Sequence, residues 1–333
     1  MTEPRFLVVR LSSLGDIVHA FPAVSGLRIS FPNAEIIWLT HPKWEFLVKT
    51  SGLATEVWTV DTRNWSNVRG ILATIRQHRF EAAIDYQGLW KSAVIPFLGR
   101  VPRRIGFSSD TVREAGVPIL YTDRVKVSSH RHVADQNAEL SARAGARVPL
   151  GDIKLRIPDD DEKIVRARIA QDGTEEYIVL SPGGGWRSKC WPAERYGILA
   201  QKLLKQLGLR SVINVGPGEE DLAAKVASTA GNAQPMQFTG SLGQLMALLK
   251  NASAVVAGDT GPLHLADALG TKVVAIFGPT DPVRNGPYRR SGVVLRWEGA
   301  ATTYKRQAEP DESLLHIGVD EVTSAIRGLR EAA

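Results

Sequence analysis

The sequence predicts an α/β protein built as two Rossmann-like lobes, each a parallel sheet carrying helices. Three observations support this. Short β-branched runs alternate with amphipathic helical patterns along the chain, the mark of parallel strands joined by crossover helices. The alternation breaks once, at a polar, weakly periodic stretch around residues 146–161 that holds Pro149, Gly151 and Pro158, and then restarts. The chain has 333 residues, 44% of them hydrophobic, close to the length at which a single core stops growing. Domains are expected over 1–155 and 160–318. A terminal helix over 319–333 is left free to pack back on the first domain.

In order, residues 5–10 read as a buried first strand and the polar turn Leu11–Asp16 follows. A helix is expected from Ile17 to Ser30. Further strands are expected over 35–39, 56–60 and 82–85, with helices over 68–78 and 89–98. Beyond the linker, strand 177–180 runs into Ser181-Pro182-Gly183-Gly184-Gly185. Helix 193–207, strand 211–215 and helix 219–230 come next. Strands over 254–257 and 272–277 bracket a short helix over 262–269, and Val319–Leu329 is amphipathic.

Composition narrows the function. Cys190 is the single cysteine, which excludes an intrachain disulfide and a cysteine-rich metal site. No apolar run approaches the roughly 18 residues of a membrane span, and Arg5–Arg10 is too short for a signal-peptide core. A cytoplasmic protein is therefore expected, with room for peripheral attachment to the cytoplasmic face of the inner membrane. The formal charge is +6, and residues 1–158 hold 21 Lys and Arg against 14 carboxylates, leaving 20 against 21 for the remainder. A basic first lobe suits a phosphorylated lipid, an anionic membrane surface or nucleic acid, or it is simply a solubilising surface.

Ligands of open α/β sheets bind where strands end and helices begin, and four segments qualify. In Ser12-Ser13-Leu14-Gly15-Asp16, the carboxylate of Asp16 either caps the helix or acts as general base at a cleft mouth, with His19 one turn on. The segment lacks the later glycines of a dinucleotide fingerprint, which disfavours a nicotinamide-linked oxidoreductase. In the loop from Ser181 to Lys189, Gly183 and its neighbours let backbone N–H groups approach a phosphate, and Arg187 and Lys189 supply cations; the plain alternative is a flexible basic loop. In Gly216-Pro217-Gly218-Glu219-Glu220, a glutamate either bonds ribose hydroxyls or favours the helix dipole. Gly258-Asp259-Thr260-Gly261-Pro262-Leu263-His264 ends a strand and opens a helix, aiming N–H groups, a hydroxyl and an imidazole at one spot suited to phosphate or sugar. Phe277-Gly278-Pro279-Thr280-Asp281-Pro282 is placed beside it.

The last two motifs, together with Arg10-Leu-Ser-Ser-Leu-Gly-Asp-Ile-Val-His19, resemble glycosyltransferase family 9, whose members are bacterial heptosyltransferases of the GT-B fold. Asp85-Tyr-Gln-Gly-Leu-Trp-Lys-Ser-Ala93 resembles the form of that segment in type I members. The resemblance implies parallel sheets facing across a cleft, and inverting, metal-independent transfer of L-glycero-D-manno-heptose from ADP-heptose. The implied acceptor is the Kdo region of the lipopolysaccharide inner core, carried on Kdo-lipid A, and no nucleic acid is implied as partner. Asp16 falls on the family's catalytic base. Lys189 falls on its diphosphate lysine, Asp259, Thr260, Gly261 and His264 on its donor signature, and Glu220 on its ribose contact, with Glu219 as a one-residue shift. Gly183 and Arg187 complete the expected donor site. Ser13, Gln87, Lys91, Arg113 and His132 are expected to face the acceptor.

Two segments depart from the family. Thr302–Ala308 stands where many relatives carry cysteines, and Thr62–Trp65 has few cations where relatives have a basic stretch. Alternatives from the residues are a type II or III heptosyltransferase, a nucleotide-sugar epimerase or hydrolase on the same fold, and a non-catalytic nucleotide-sugar or lipid-binding module. Release of free sugar without acceptor distinguishes a hydrolase, and donor binding without product distinguishes the module.

Overall fold

Phe6–Val9 are buried on both sides of their strand, as a central strand of a parallel sheet covered on both faces must be. A computed structural model describes residues 3–112, 114–148, 150–173, 176–289 and 292–331. The chain divides into two units, Met1–Arg156 and Ile157–Ala333.

In the first unit the order is β1 (Arg5–Val9), α1 (Leu14–Ser30), β2 (Glu35–Thr40), α2 (Glu45–Ser51), β3 (Glu56–Thr59), α3 (Trp65–Gln77), β4 (Ala82–Asp85), α4 (Trp90–Leu98), β5 (Arg104–Phe107), β6 (Asp123–Val125) and α5 (Val133–Arg143). The described strands form one sheet in the order β3-β2-β1-β4-β5-β6, with every pair parallel. The order reverses between β1 and β4, the switch point at which loops diverge and leave a crevice. α1 packs on α5. The apolar faces of α3 and α4 supply Val68, Leu72, Ile75 and Ile95 to a core with Leu7, Val9 and Ala83.

The second unit runs α6 (Asp159–Gln171), β7 (Tyr177–Ser181), α7 (Ala193–Leu207), β8 (Arg210–Asn214), α8 (Glu220–Ala230), β9 (Met236–Phe238), α9 (Leu242–Lys250), β10 (Ala254–Gly258), α10 (Gly261–Ala268), β11 (Val273–Phe277), α11 (Pro282–Asn285), β12 (Gly292–Arg296), α12 (Glu312–Leu315) and α13 (Val319–Glu331). Its sheet order is β12-β11-β10-β7-β8-β9, again parallel throughout, with the switch point between β7 and β10. Pro262 takes the second helical position of α10, one later than its sequence context suggested, because Thr260 is the capping residue.

The terminal helix corrects one expectation. Instead of returning to the first unit, α13 packs on α7 and adds Val322 and Ile326 to the second unit's core beside Trp191, Leu199 and Leu203. Its apolar residues recur at 319, 322, 326 and 329, one helical stripe. The preceding turn is locked to the same unit, since Trp191 Nε1 donates to the Ile317 carbonyl at 3.1 Å.

Candidate functional site

At the β1–β4 switch point, two loops are tied together by buried polar groups. Asp85 ends β4 fully buried and accepts from Tyr121 Oη at 2.7 Å, Ser92 Oγ at 2.8 Å and the Gln87 N–H at 2.9 Å. Burial pushes its carboxyl up from the ordinary value, and these hydrogen bonds pull the other way. The Tyr121 ring lies against Gly106, where a Cβ would overlap it. So fixed, the β4–α4 loop presents Gln87, whose Oε1 accepts from the Leu11 N–H at 2.7 Å.

The other loop holds Asp16. Its Oδ2 accepts from the Ser13 N–H at 3.0 Å and from Ser13 Oγ at 2.8 Å, and its Oδ1 pairs with Arg10 Nη2 at 2.5 Å. Arg10 is buried, with its other terminal nitrogen donating to the Tyr86 carbonyl, whereas the Asp16 side chain is 37% exposed. The carboxylate is thus gripped from the protein side and open to solvent on the other. One turn along α1, His19 is buried and meets the His132 ring edge-on, centroids 5.1 Å apart. His132 in turn caps α5, accepting from the Ala134 N–H at 3.1 Å. Lys91 is exposed in the first turn of α4. Ser13, Asp16, Gln87 and His132 are therefore linked through named contacts, with Lys91 on the adjoining helix. Arg113 lies outside the described residues.

The second unit has its own switch-point cluster. Lys189 Nζ pairs with Asp259 Oδ2 at 2.6 Å, and His264 Nε2 meets Asp259 Oδ1 at 3.1 Å. Burial alone would raise the Asp259 carboxyl, but the His264 hydrogen bond and the Lys189 charge outweigh it and hold the group well below the usual carboxylate range. Lys189 Nζ also lies 4.5 Å from the centre of the Trp186 ring, which Arg306 approaches at 5.0 Å. The loop after β7 sits tightly on the end of β10: a Cβ on Gly258 would come within 2.7 Å of the Lys189 carbonyl oxygen. Thr260 Oγ1 is buried and has no hydrogen-bond partner among the described residues. Gly261 opens α10 beside it. Burial pushes the Cys190 thiol up to about 11, so it is protonated at neutral pH.

Gly183 differs from its expected use as an open phosphate cradle. Its Cα face is covered by the Glu219 carboxylate, which a Cβ there would overlap. Glu219 Oε2 also accepts from the Gly216 N–H at 2.9 Å, so this side chain lies across the ends of β7 and β8. Glu220 is exposed in the first turn of α8, with Oε1 3.4 Å from the Gly218 N–H. Arg187 is exposed in the turn before Lys189. Sequence reasoning passed over Arg10, Trp186 and Arg306. Arg10 carried a signal: a charge ending an otherwise buried strand needs a partner.

The profile of Glycosyltransferase family 9 (heptosyltransferase) matches residues 68–313. The chain belongs to this family. This family 9 enzyme is 28% identical over 305 residues to lipopolysaccharide heptosyltransferase 1 of Pseudomonas aeruginosa, covering 87% of this chain and 83% of that one. The family 9 glycosyl transferase structure from Veillonella parvula superposes with a TM-score of 0.84 at 21% identity, covering 100% of this chain and 99% of that one. The Escherichia coli heptosyltransferase WaaC with ADP superposes with a TM-score of 0.78 at 25% identity, covering 98% and 99%. The heptosyltransferase has the GT-B fold class, and no described helix is long and apolar enough to cross a membrane.

Proposed function

We propose that this heptosyltransferase moves L-glycero-D-manno-heptose from ADP-heptose to the Kdo region of the lipopolysaccharide inner core, as a type I enzyme, working in the cytoplasm on Kdo-lipid A. The observation that carries the reading is the half-exposed Asp16 carboxylate held by Ser13 and Arg10, in a chain whose other unit offers a buried lysine–carboxylate–histidine cluster. The similarity to lipopolysaccharide heptosyltransferase 1 supports the acceptor, and the ADP named with the Escherichia coli structure supports the donor.

The proposed chemistry is one displacement. Asp16 takes the proton of the acceptor hydroxyl, the acceptor oxygen forms a bond to C1 of the heptose, and the C1–oxygen bond to the diphosphate breaks with its electron pair leaving on ADP. Lys189 and the N–H groups at Thr260–Gly261 offset the charge that develops on the departing phosphate. Thr260 Oγ1, buried without a partner, gains one from a donor oxygen, relieving a penalty of about 1–3 kcal/mol. Asp259 holds Lys189 and His264 in place. Glu219 is preferred over Glu220 as the ribose contact, because its carboxylate already lies at the strand ends. Ser13, Gln87, Lys91 and His132 are assigned to the acceptor.

The deciding experiment incubates purified protein with ADP-heptose and Kdo-lipid A and follows ADP release and product mass. The expected product is the acceptor plus one heptose. Free heptose released without acceptor, or transfer only to an acceptor that already carries heptose, would defeat the type I reading.

Gly183→Ala gives a separate check on the donor site. The added methyl displaces a flexible carboxylate tip, so the fold tolerates it. ADP affinity measured by calorimetry is expected to fall roughly ten-fold or more, the loss of one charge-assisted hydrogen bond, with the melting temperature nearly unchanged. Native ADP affinity in this variant would remove Glu219 from the donor site.

A further inference from the structure

α4 and the turn at Val117–Leu120 pack together through Ala93, Val94, Val117 and Leu120, yet they leave large apolar side chains in water. Trp90 is 45% exposed, Phe97 44%, Leu98 37% and Ile119 71%. Trp90 and Phe97 are seven residues apart on one face of the helix. Isolated exposed apolar residues need no explanation, whereas a cluster of them on one pair of packed elements marks an interaction surface.

The surroundings are strongly basic. Between residues 63 and 104 the sequence holds eight Lys and Arg against two carboxylates, Glu81 and Asp85, and Asp85 is buried. That excess equals the +6 of the entire chain. At the C-terminal end of α4, Arg76, Arg79, Arg100 and His78 line a recess of about 410 Å³. Arg76 is anchored there by donating to the Leu98 carbonyl at 2.9 and 3.1 Å. Apolar side chains amid arginines are the chemistry of a protein that sits on an anionic bilayer, its aromatic and aliphatic groups entering the headgroup layer and its cations drawn to lipid phosphates.

We propose that the α4 face, with Ile119 and the arginines around the recess, is a docking surface for an anionic lipid membrane. The surface begins at Trp90, directly after the loop whose Gln87 is bonded to Leu11. It would therefore bring the first unit's candidate acceptor residues to the layer in which a lipid acceptor resides. That purpose rests on the proposed function, while the docking itself does not.

The test is co-sedimentation of the full chain with vesicles of phosphatidylcholine alone or mixed with phosphatidylglycerol, with no donor present. Binding is expected to the anionic vesicles only, and to weaken as salt is raised. The double variant Arg79→Glu with Arg100→Glu is expected to bind at least ten-fold more weakly, each cation near a bilayer being worth roughly five-fold. Ile119→Ser is expected to bind several-fold more weakly at unchanged charge. Arg79→Gln with Arg100→Gln is the milder pair should the charge reversal disturb folding. Absence of native binding, equal binding to both vesicle types, native binding by the variants, or tighter binding to a DNA duplex at the same salt would each overturn the proposal. Vesicle binding without heptose transfer would sink the proposed function and leave the surface standing. Transfer to a water-soluble acceptor without vesicle binding would do the reverse.

Discussion

Asp16→Asn is expected to slow heptose transfer by about 10²–10⁴-fold, the usual contribution of a positioned general base, while ADP binds as in the native chain. The substitution preserves shape and removes only the charge that accepts the proton. Asparagine still accepts through its oxygen from Ser13, so the start of α1 stays capped, and calorimetry with ADP reads a site assigned to the other unit. Arg10 loses its ion partner but keeps its bond to the Tyr86 carbonyl. Turnover close to native in Asp16→Asn would eliminate this carboxylate as the base, whatever the outcome for donor binding.

Asp259→Ala is expected to cost about 3–5 kcal/mol of stability, the penalty for leaving buried charge without its counterpart, and to abolish measurable ADP binding. Lys189 and His264 both rest on this carboxylate, at 2.6 and 3.1 Å, and the Lys189 side chain is only 16% exposed. Melting temperature should fall by on the order of ten degrees. Asp259→Asn, which keeps the shape, supplies the pH dependence. The carboxyl is held below its ordinary value in the folded protein, so its stabilisation is complete above about pH 4–5 and is lost only as pH falls further, through the depressed value. The stability gap between the native chain and Asp259→Asn should accordingly be flat from neutral pH down to about 5 and narrow below. A gap that opens or closes between pH 6 and 8 would point to a different group.

The central strands were legible because they are short runs of buried apolar residues ended by glycine or a polar turn: β1, β4, β7, β10 and β11 all have this form. The outer strands were not. β6 and β9 are three residues each, too short to show a period, and Asp123-Arg124-Val125 reads as loop by composition. The capping helices α2, α5 and α9 lay in stretches where only contacts with other elements, such as α1 with α5, distinguish a helix from a loop. For the candidate site, Lys189, Asp259 and His264 were visible as motif residues. Their mutual pairing was not, because 70 residues separate Lys189 from Asp259. The choice between Glu219 and Glu220 turned on one residue of helix register: α8 begins at Glu220, so Glu219 is the capping position and turns back toward the strands.

That α13 supplies Val322 and Ile326 to the second unit's own interior has an evolutionary consequence. No hydrophobic cluster straddles the division at Arg156 and Ile157, so a single crossover there exchanges an entire half between related genes without splitting an interior. The half assigned to the acceptor and the half assigned to the nucleotide sugar can then be inherited separately. Hybrids joined at this junction are a direct route to enzymes with recombined specificities.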